Sequence, residues 1–170
     1  MRILLAEDNQ DQRDLILRSF KSQMPEAFID VIREGRSIAG KISETRYDIL
    51  ILDFSLPLMN GLEVLAALQE AKNIVPVIMV TGQGDEKIAV EAMKNGASDY
   101  IIKSGRYYDN LPMIVEKTIV QFHLKLKAEK SSLKLKVLHE ISLSMTRERN
   151  EEALGDLIVS GAVTLMETEG

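Results

Sequence analysis

Four uninterrupted apolar runs punctuate the front of the chain: Ile3-Leu4-Leu5-Ala6, Ile49 to Leu52, Val77 to Val80, and Ile101-Ile102. Each is short and bounded by polar or turn-forming residues. Each therefore predicts a strand covered on both faces. Phe28-Ile29-Asp30-Val31 alternates instead, as an edge strand does. Between these runs, apolar residues recur at helical spacing. Leu15, Ile16, Ser19 and Phe20 predict a first helix, stopped by Pro25; Ile38, Ala39 and Ile42 predict a second. Leu62, Leu65, Ala66 and Leu68, following Gly61, predict a third. Ile88, Ala89, Ala92 and Met93 predict a fourth, closed by Asn95-Gly96. Strand and helix alternate five times, the pattern of an α/β fold whose parallel sheet carries helices on both faces.

From Asn110 the pattern changes. Pro112 suits the first turn of a helix, no proline follows it, and no glycine occurs before Gly155. The predicted helix extends to about Arg147, on the order of 55 Å, which is longer than one small sheet can cover. One apolar stripe along it is Ile119, Phe122, Leu126, Leu133, Val137 and Ile141, and another is Leu124, Ala128, Leu135, Leu138 and Met145. Such spacing predicts pairing with another helix, a second copy of the chain first of all; the competing expectation is a helix folded back on its own domain. A further stripe, Leu154, Leu157, Ile158 and Leu165, lies in a stretch too short to build a core alone. It reads as the opening of a further domain. The expected organisation is a domain over 1–122, an extended helix over 123–148 and a partial helical segment over 149–170.

Composition narrows the classes. The absence of cysteine excludes a disulfide framework and thiolate metal sites. A formal charge of -5 weighs against attraction of the whole surface to nucleic acid or anionic lipid. No apolar run approaches the roughly 20 residues that span a bilayer, and "MRILLAEDNQ" has too short an apolar stretch for a signal peptide. A cytoplasmic protein without direct DNA binding or membrane contact is the expectation. The lysines between Lys125 and Lys136 read as a solvated helix face, and His123 and His139 are too far apart for a metal-ligand pair.

In an open parallel sheet, ligands sit beyond the carboxyl ends of the strands. The first strand is followed by Glu7-Asp8, the third ends in Asp53, the fourth in Thr81-Gly82, and Lys103 follows the fifth. Three carboxylates brought to one edge raise one another's pKa unless a cation joins them. A hard divalent ion such as Mg²⁺ suits carboxylate oxygens and keeps waters that a phosphoryl group can replace. With Thr81 as a hydrogen-bond donor and Lys103 as a point charge, the set suits phosphoryl transfer to a carboxylate, with Asp53 as nucleophile.

Together the stretches "LLAEDNQ", "ILILDFSLPLMNGLEVL" and "VPVIMVTGQGDEKIAVEAMKNGASDYIIK" resemble the receiver domain of two-component response regulators over roughly residues 1 to 122. The resemblance implies a flavodoxin-like doubly wound fold with strand order 2-1-3-4-5. Asp53 matches the phosphoacceptor, and a histidine kinase or phosphotransfer protein is the implied donor. Glu7 and Asp8 match the metal-binding acidic pair, and the backbone carbonyl of Ser55 matches a further ligand of Mg²⁺. Thr81 and Lys103 match the pair that holds the phosphoryl group, and Tyr100 the aromatic switch position. Ser55 and Gln83 match positions that tune dephosphorylation. Pro57 is expected to shape the loop after Asp53, and Gly61 to let it turn into the next helix. The family usually has proline after the lysine. Here Ser104 follows, so a trans peptide and a longer loop over "KSGRYYDNLP" are expected.

Three other functions suit the same fold less well. A nucleotide or flavin binder needs a Ser/Thr/Gly-rich phosphate loop after the first strand, where "AEDNQDQRD" offers carboxylates. A phosphatase with an aspartyl-phosphate intermediate usually carries a second acid two residues after the nucleophile, where Ser55 stands. A receiver-like scaffold that never turns over would not need so full an acid site. The segment "LHEISLSMTRERNEEALGDLIVSGAVTLMETEG" resembles a signalling helix entering a GAF-type domain. Any enzymatic output is expected in such a further domain and not in the receiver.

Overall fold

A computed structural model describes residues 1–82, 86–147 and 161 of the 170. Five parallel strands, β1 (Arg2–Ala6), β2 (Phe28–Ile32), β3 (Ile49–Asp53), β4 (Val77–Thr81) and β5 (Asp99–Ile102), lie in the order 2-1-3-4-5. This is the flavodoxin-like sheet. The helices are α1 (Gln10–Gln23), α2 (Ile38–Glu44), α3 (Gly61–Glu70), α4 (Glu86–Lys94) and α5 (Tyr107–Arg147), with a 3-10 turn at Gly35–Ser37 before α2.

Residues alternate between the two faces of a strand, so each apolar run fills two cores at once. Ile3, Leu5, Ile49, Ile51, Ile78 and Val80 pack with Ile16 and Phe20 of α1 and Leu111 and Val115 of α5. Leu4, Ala6, Leu50, Leu52 and Met79 pack on the other face with Ile38 of α2, Leu65 and Leu68 of α3 and Ala92 of α4. Each fully buried aliphatic side chain of this kind contributes about 1.5–3 kcal/mol. β2 is the edge strand the alternation predicts, and its Phe28 is exposed.

Three local expectations change. In α3 the buried residues are Gly61, Val64, Leu65 and Leu68, and Ala66 faces outward. In α4, Ala89 and Ala92 are buried and Met93 is exposed. α5 begins at Tyr107, so Pro112 lies inside it and not in its first turn. The reason is packing: Tyr107, Leu111 and Val115, four apart, all bury against the sheet. Their burial outweighs the hydrogen bond that Pro112 cannot donate. The loop after β5 accordingly contracts to residues 103–106. The Lys103–Ser104 peptide is trans, as expected; the described residues hold no cis bond.

The structure divides into two compact units, Met1–Phe122 and His123–Gly170, and α5 runs through the division. No helix among the described residues is long and apolar enough to cross a membrane.

Candidate functional site

β1 has β2 on one side and β3 on the other, so the chain reverses direction across the sheet there. The carboxyl ends of β1 and β3 open a crevice at that switch point. Glu7 is anchored at its rim, its N–H donating to the Ile32 carbonyl at 3.1 Å. Asn9 then caps α1 by accepting from Gln12 N at 3.0 Å, while its own N–H donates to Glu7 Oε1 at 3.1 Å. Behind this turn the buried Arg13 guanidinium donates to the carbonyls of both Glu7 and Asp8. Two consecutive acidic residues are thereby held in one conformation by a cation that touches only their backbone.

Asp53 is the last residue of β3 and is 5% exposed. The loop beyond it is pinned at several points. Phe54 N donates to Val80 O at 2.9 Å, Gly61 N to Phe54 O at 2.9 Å, and Gly35 N to Pro57 O at 3.4 Å. Asn60 closes the loop with a capping box, accepting from Leu62 N and Glu63 N while Glu63 Oε2 accepts from its own N–H at 2.8 Å. Gly61 stands where the loop turns into α3. It is the first residue of α3, with no left-handed φ. It is glycine because an added Cβ would lie 2.7 Å from Met79 Sδ and 3.0 Å from Phe54 Cα. The left-handed residue of the loop is Leu58, with φ 66° and its side chain in solvent.

One atom of each carboxylate of Glu7, Asp8 and Asp53 lies within 4.8 Å of the others. Lys103 Nζ donates to Glu7 Oε2 at 2.8 Å and stands 2.9 Å from Asp53 Oδ2. Burial alone would depress the Lys103 ammonium; the hydrogen bonds and charges of Glu7 and Asp53 outweigh it and hold the pKa above the ordinary lysine value. Glu7 moves the other way for a carboxylate. Its burial, with the nearby charge of Asp53, outweighs the Lys103 and Asn9 hydrogen bonds and raises its pKa. A proton and a cation therefore compete for this acid. The all-oxygen donor set, partly buried and short of positive charge, fits a hard divalent ion.

Thr81 ends β4, fully buried, and its carbonyl accepts from Lys103 N at 2.7 Å. Its hydroxyl has no hydrogen-bond partner among the described residues. A buried hydroxyl left unpaired costs about 1–3 kcal/mol, so a phosphoryl oxygen reaching it would find an acceptor's place open. Tyr100 lies in β5 opposite Met79 of β4, 44% exposed. Ser55 is exposed in the loop after Asp53, and Gln83 lies outside the described residues. The structure thus brings together Glu7, Asp8, Asp53 and Lys103, with Thr81 beside Lys103, and leaves Ser55 and Tyr100 in solvent.

Two contributors were not singled out from the sequence. Arg13 could have been noticed as a charge three residues before Ile16, on the helix's buried face. Tyr107 donates its hydroxyl to Gln12 Oε1 at 2.7 Å, tying the start of α5 to α1. Its phenol pKa is pushed well up, first by burial and then by the charges of Glu7 and Asp53. Nothing in the sequence pattern distinguishes it from an ordinary core aromatic.

The response regulator receiver domain model matches residues 3–111. The chain is 31% identical over 168 residues to the transcriptional regulatory protein HprR of Escherichia coli, covering 95% of this chain and 73% of that one. It is 33% identical over 135 residues to the protein-glutamate methylesterase/protein-glutamine glutaminase of Bacillus licheniformis, covering 75% of this chain. Of that relative, and of the regulatory proteins PcoR from Escherichia coli and LuxO from Vibrio cholerae, the chain spans only 37%, 44% and 16% of the length. Among solved structures, NtrX from Brucella abortus superposes with a TM-score of 0.65 at 28% identity, covering 78% of this chain and 29% of that chain. The signal receiver domain of a putative LuxO repressor from Vibrio parahaemolyticus gives 0.65 at 27% identity, covering 73% and 93%. With the sheet order, the acidic crevice and the match over residues 3–111 in agreement, the chain belongs to the response regulator receiver domain family.

Proposed function

We propose that Asp53 is the phosphoacceptor of a two-component phosphorelay, and that Glu7, Asp8, Thr81 and Lys103 serve its phosphorylation. The carrying observation is Lys103 Nζ bridging Asp53 and Glu7 at 2.9 and 2.8 Å, with Asp8 completing the carboxylate cluster. An Asp53 oxygen attacks the phosphorus of a phosphohistidine on a kinase or phosphotransfer protein. The P–N bond breaks as the P–O bond forms, and the imidazole leaves. Mg²⁺, held by Glu7, Asp8, Asp53 and the Ser55 carbonyl, would offset the charge gathering on the phosphoryl oxygens. Lys103 turns from its carboxylate partners to the phosphoryl group, and the Thr81 hydroxyl donates to it. Water later cleaves the acyl phosphate, at a rate tuned by Ser55 and Gln83.

Thr81 moving toward the phosphoryl group opens space for Tyr100, whose rotamer biases α5. The domain over 1–122 is the switch, and the helix over 123–148 carries the output by pairing with a second copy; the expected segment over 149–170 lies, Gly161 apart, outside the described residues. On this reading the chain is a cytoplasmic switch that catalyses no turnover of its own and neither binds DNA nor enters a membrane. The test is incubation with a small phosphodonor and Mg²⁺, with the mass read on intact protein. One phosphoryl group is expected on the chain and none on Asp53→Asn. Undiminished labelling of that variant sinks the assignment.

A further inference from the structure

Gln12 and Arg13 stand side by side in the first turn of α1, and each reaches a different wall of the crevice. Arg13 holds the carbonyls of Glu7 and Asp8, on the acid side. Gln12 accepts at Oε1 from the Tyr107 hydroxyl at 2.7 Å. Tyr107 opens α5, shortly after Lys103. The loop between them has little to hold it. Ser104, Gly105 and Arg106 are all exposed, and Gly105 takes a left-handed φ of 51°. Arg106 pairs with Asp109 of α5 and not with the crevice. Lys103 itself is fixed on one side, its N–H donating to Thr81 O at 2.7 Å. Beyond that bond, Tyr107 is the first buried residue. Packing alone does not ask for a tyrosine there. Leu111 and Val115, on the next two turns, serve the same core with apolar side chains. A phenol adds a hydroxyl whose burial costs free energy unless it is bonded. The bond to Gln12 supplies that partner and gives the ring one orientation. The charges of Glu7 and Asp53 both act on the phenol, so it borders the acids that Lys103 bridges.

We propose that the Tyr107–Gln12 hydrogen bond is a positioning contact for Lys103: it fixes the far end of the loop and so holds the ammonium against Glu7 and Asp53. Tyr107 touches no reacting atom and acts through Lys103. α1 thereby sets both walls of the crevice from adjacent residues, the acids through Arg13 and the cation through Gln12. The proposal rests on the reading of Lys103 as the group that meets the phosphoryl group, and adds what keeps it in place. A second tie joins the same two helices elsewhere. Gln23 Nε2, at the other end of α1, donates to Asp109 O at 2.8 Å. Cutting that tie separates positioning of the loop from docking of α5 in general.

The Lys103 side chain is 22% exposed and hydrogen-bonded to Glu7. Its ammonium protons are expected to exchange slowly enough to give an NMR signal in the metal-free chain, one that vanishes in Lys103→Met. Tyr107→Phe keeps the ring and removes only the hydroxyl. That variant, Gln12→Leu and the two combined are expected to weaken the signal severalfold and to the same extent, since all three remove one bond. Gln23→Leu is expected to keep it. Phosphoryl uptake from a small donor with Mg²⁺ should fall in step, by roughly two- to tenfold, the range one hydrogen bond covers, and should hold in Gln23→Leu. A signal unchanged in Tyr107→Phe overturns the proposal. So does one lost equally in Gln23→Leu, which would make Lys103 a reporter of α5 docking, and so does an unsubstituted chain without the signal. The two readings fail separately. The expected signal pattern without uptake by the unsubstituted chain removes the phosphoacceptor reading and leaves the contact. Uptake with no response to Tyr107→Phe does the reverse.

Discussion

At the scale of single residues, Lys103 is the group on which the crevice balances. Among the described residues it is the one cation whose side chain is paired with these carboxylates, bridging Glu7 and Asp53, acids that a metal ion would also bind. Replacing it should therefore have opposite effects on two measurements. Lys103→Met leaves the carboxylates without their counter-charge, so Mg²⁺ affinity is expected to rise severalfold, read by calorimetry. Phosphoryl transfer is expected to fall by tenfold or more, because no point charge meets the incoming group. Without Mg²⁺ the variant should be less stable by roughly 1–3 kcal/mol, the cost of leaving buried polar groups without their partner. A parallel fall in metal affinity and rate would show that Lys103 organises the site and is not a competitor for it. The grouping of these side chains was legible in the sequence because strand ends announce it: Glu7-Asp8, Asp53, Thr81 and Lys103 each follow an apolar run. Arg13 and Tyr107 were not legible, because their roles depend on which carbonyl or amide faces them across α1, and spacing does not encode that.

At the scale of elements, the loop between β3 and α3 depends on a glycine far from it in sequence. Gly35 opens the 3-10 turn, donates to Pro57 O, and sits where an added Cβ would overlap the Met59 carbonyl. A backbone carbonyl cannot step aside as a flexible side chain can. Gly35→Ala is expected to destabilise the domain by about 1–3 kcal/mol, as overpacking does, and to displace the loop that carries Ser55. Urea unfolding measures the first effect and the rate of phosphoryl uptake the second; an unchanged midpoint would show that the loop yields freely. The periodicity of α1 to α4 and the five strands could be read in advance because burial on a sheet imposes it. The start of α5 could not. Helix-start rules favoured Pro112, and the burial of Tyr107 and Leu111 against the sheet overrode them.

At the scale of the whole molecule, everything the proposed chemistry uses lies in the unit Met1–Phe122. Both cores, the three carboxylates, Thr81, Lys103 and Tyr100 fall inside it, as does the first part of α5 with Leu111, Val115 and Thr118. If so, the switch and its output separate physically. A chain ending at Phe122 is expected to fold cooperatively, since its two cores are complete, and to take up phosphoryl at a rate within about twofold of the full chain's. It should also lose self-association, because the exposed leucines from Leu124 onward go with the segment removed. A two-state bias runs both ways: whatever phosphorylation does to α5 pairing, pairing must do to the phosphorylated state, by the same free energy. The shortened chain should thus show whether the second unit weighs on the chemistry at all. Equal phosphorylation levels at equilibrium with the same donor, over a range of protein concentrations, would show that pairing and phosphorylation are independent. A level that rises with concentration only in the full chain would measure their coupling directly.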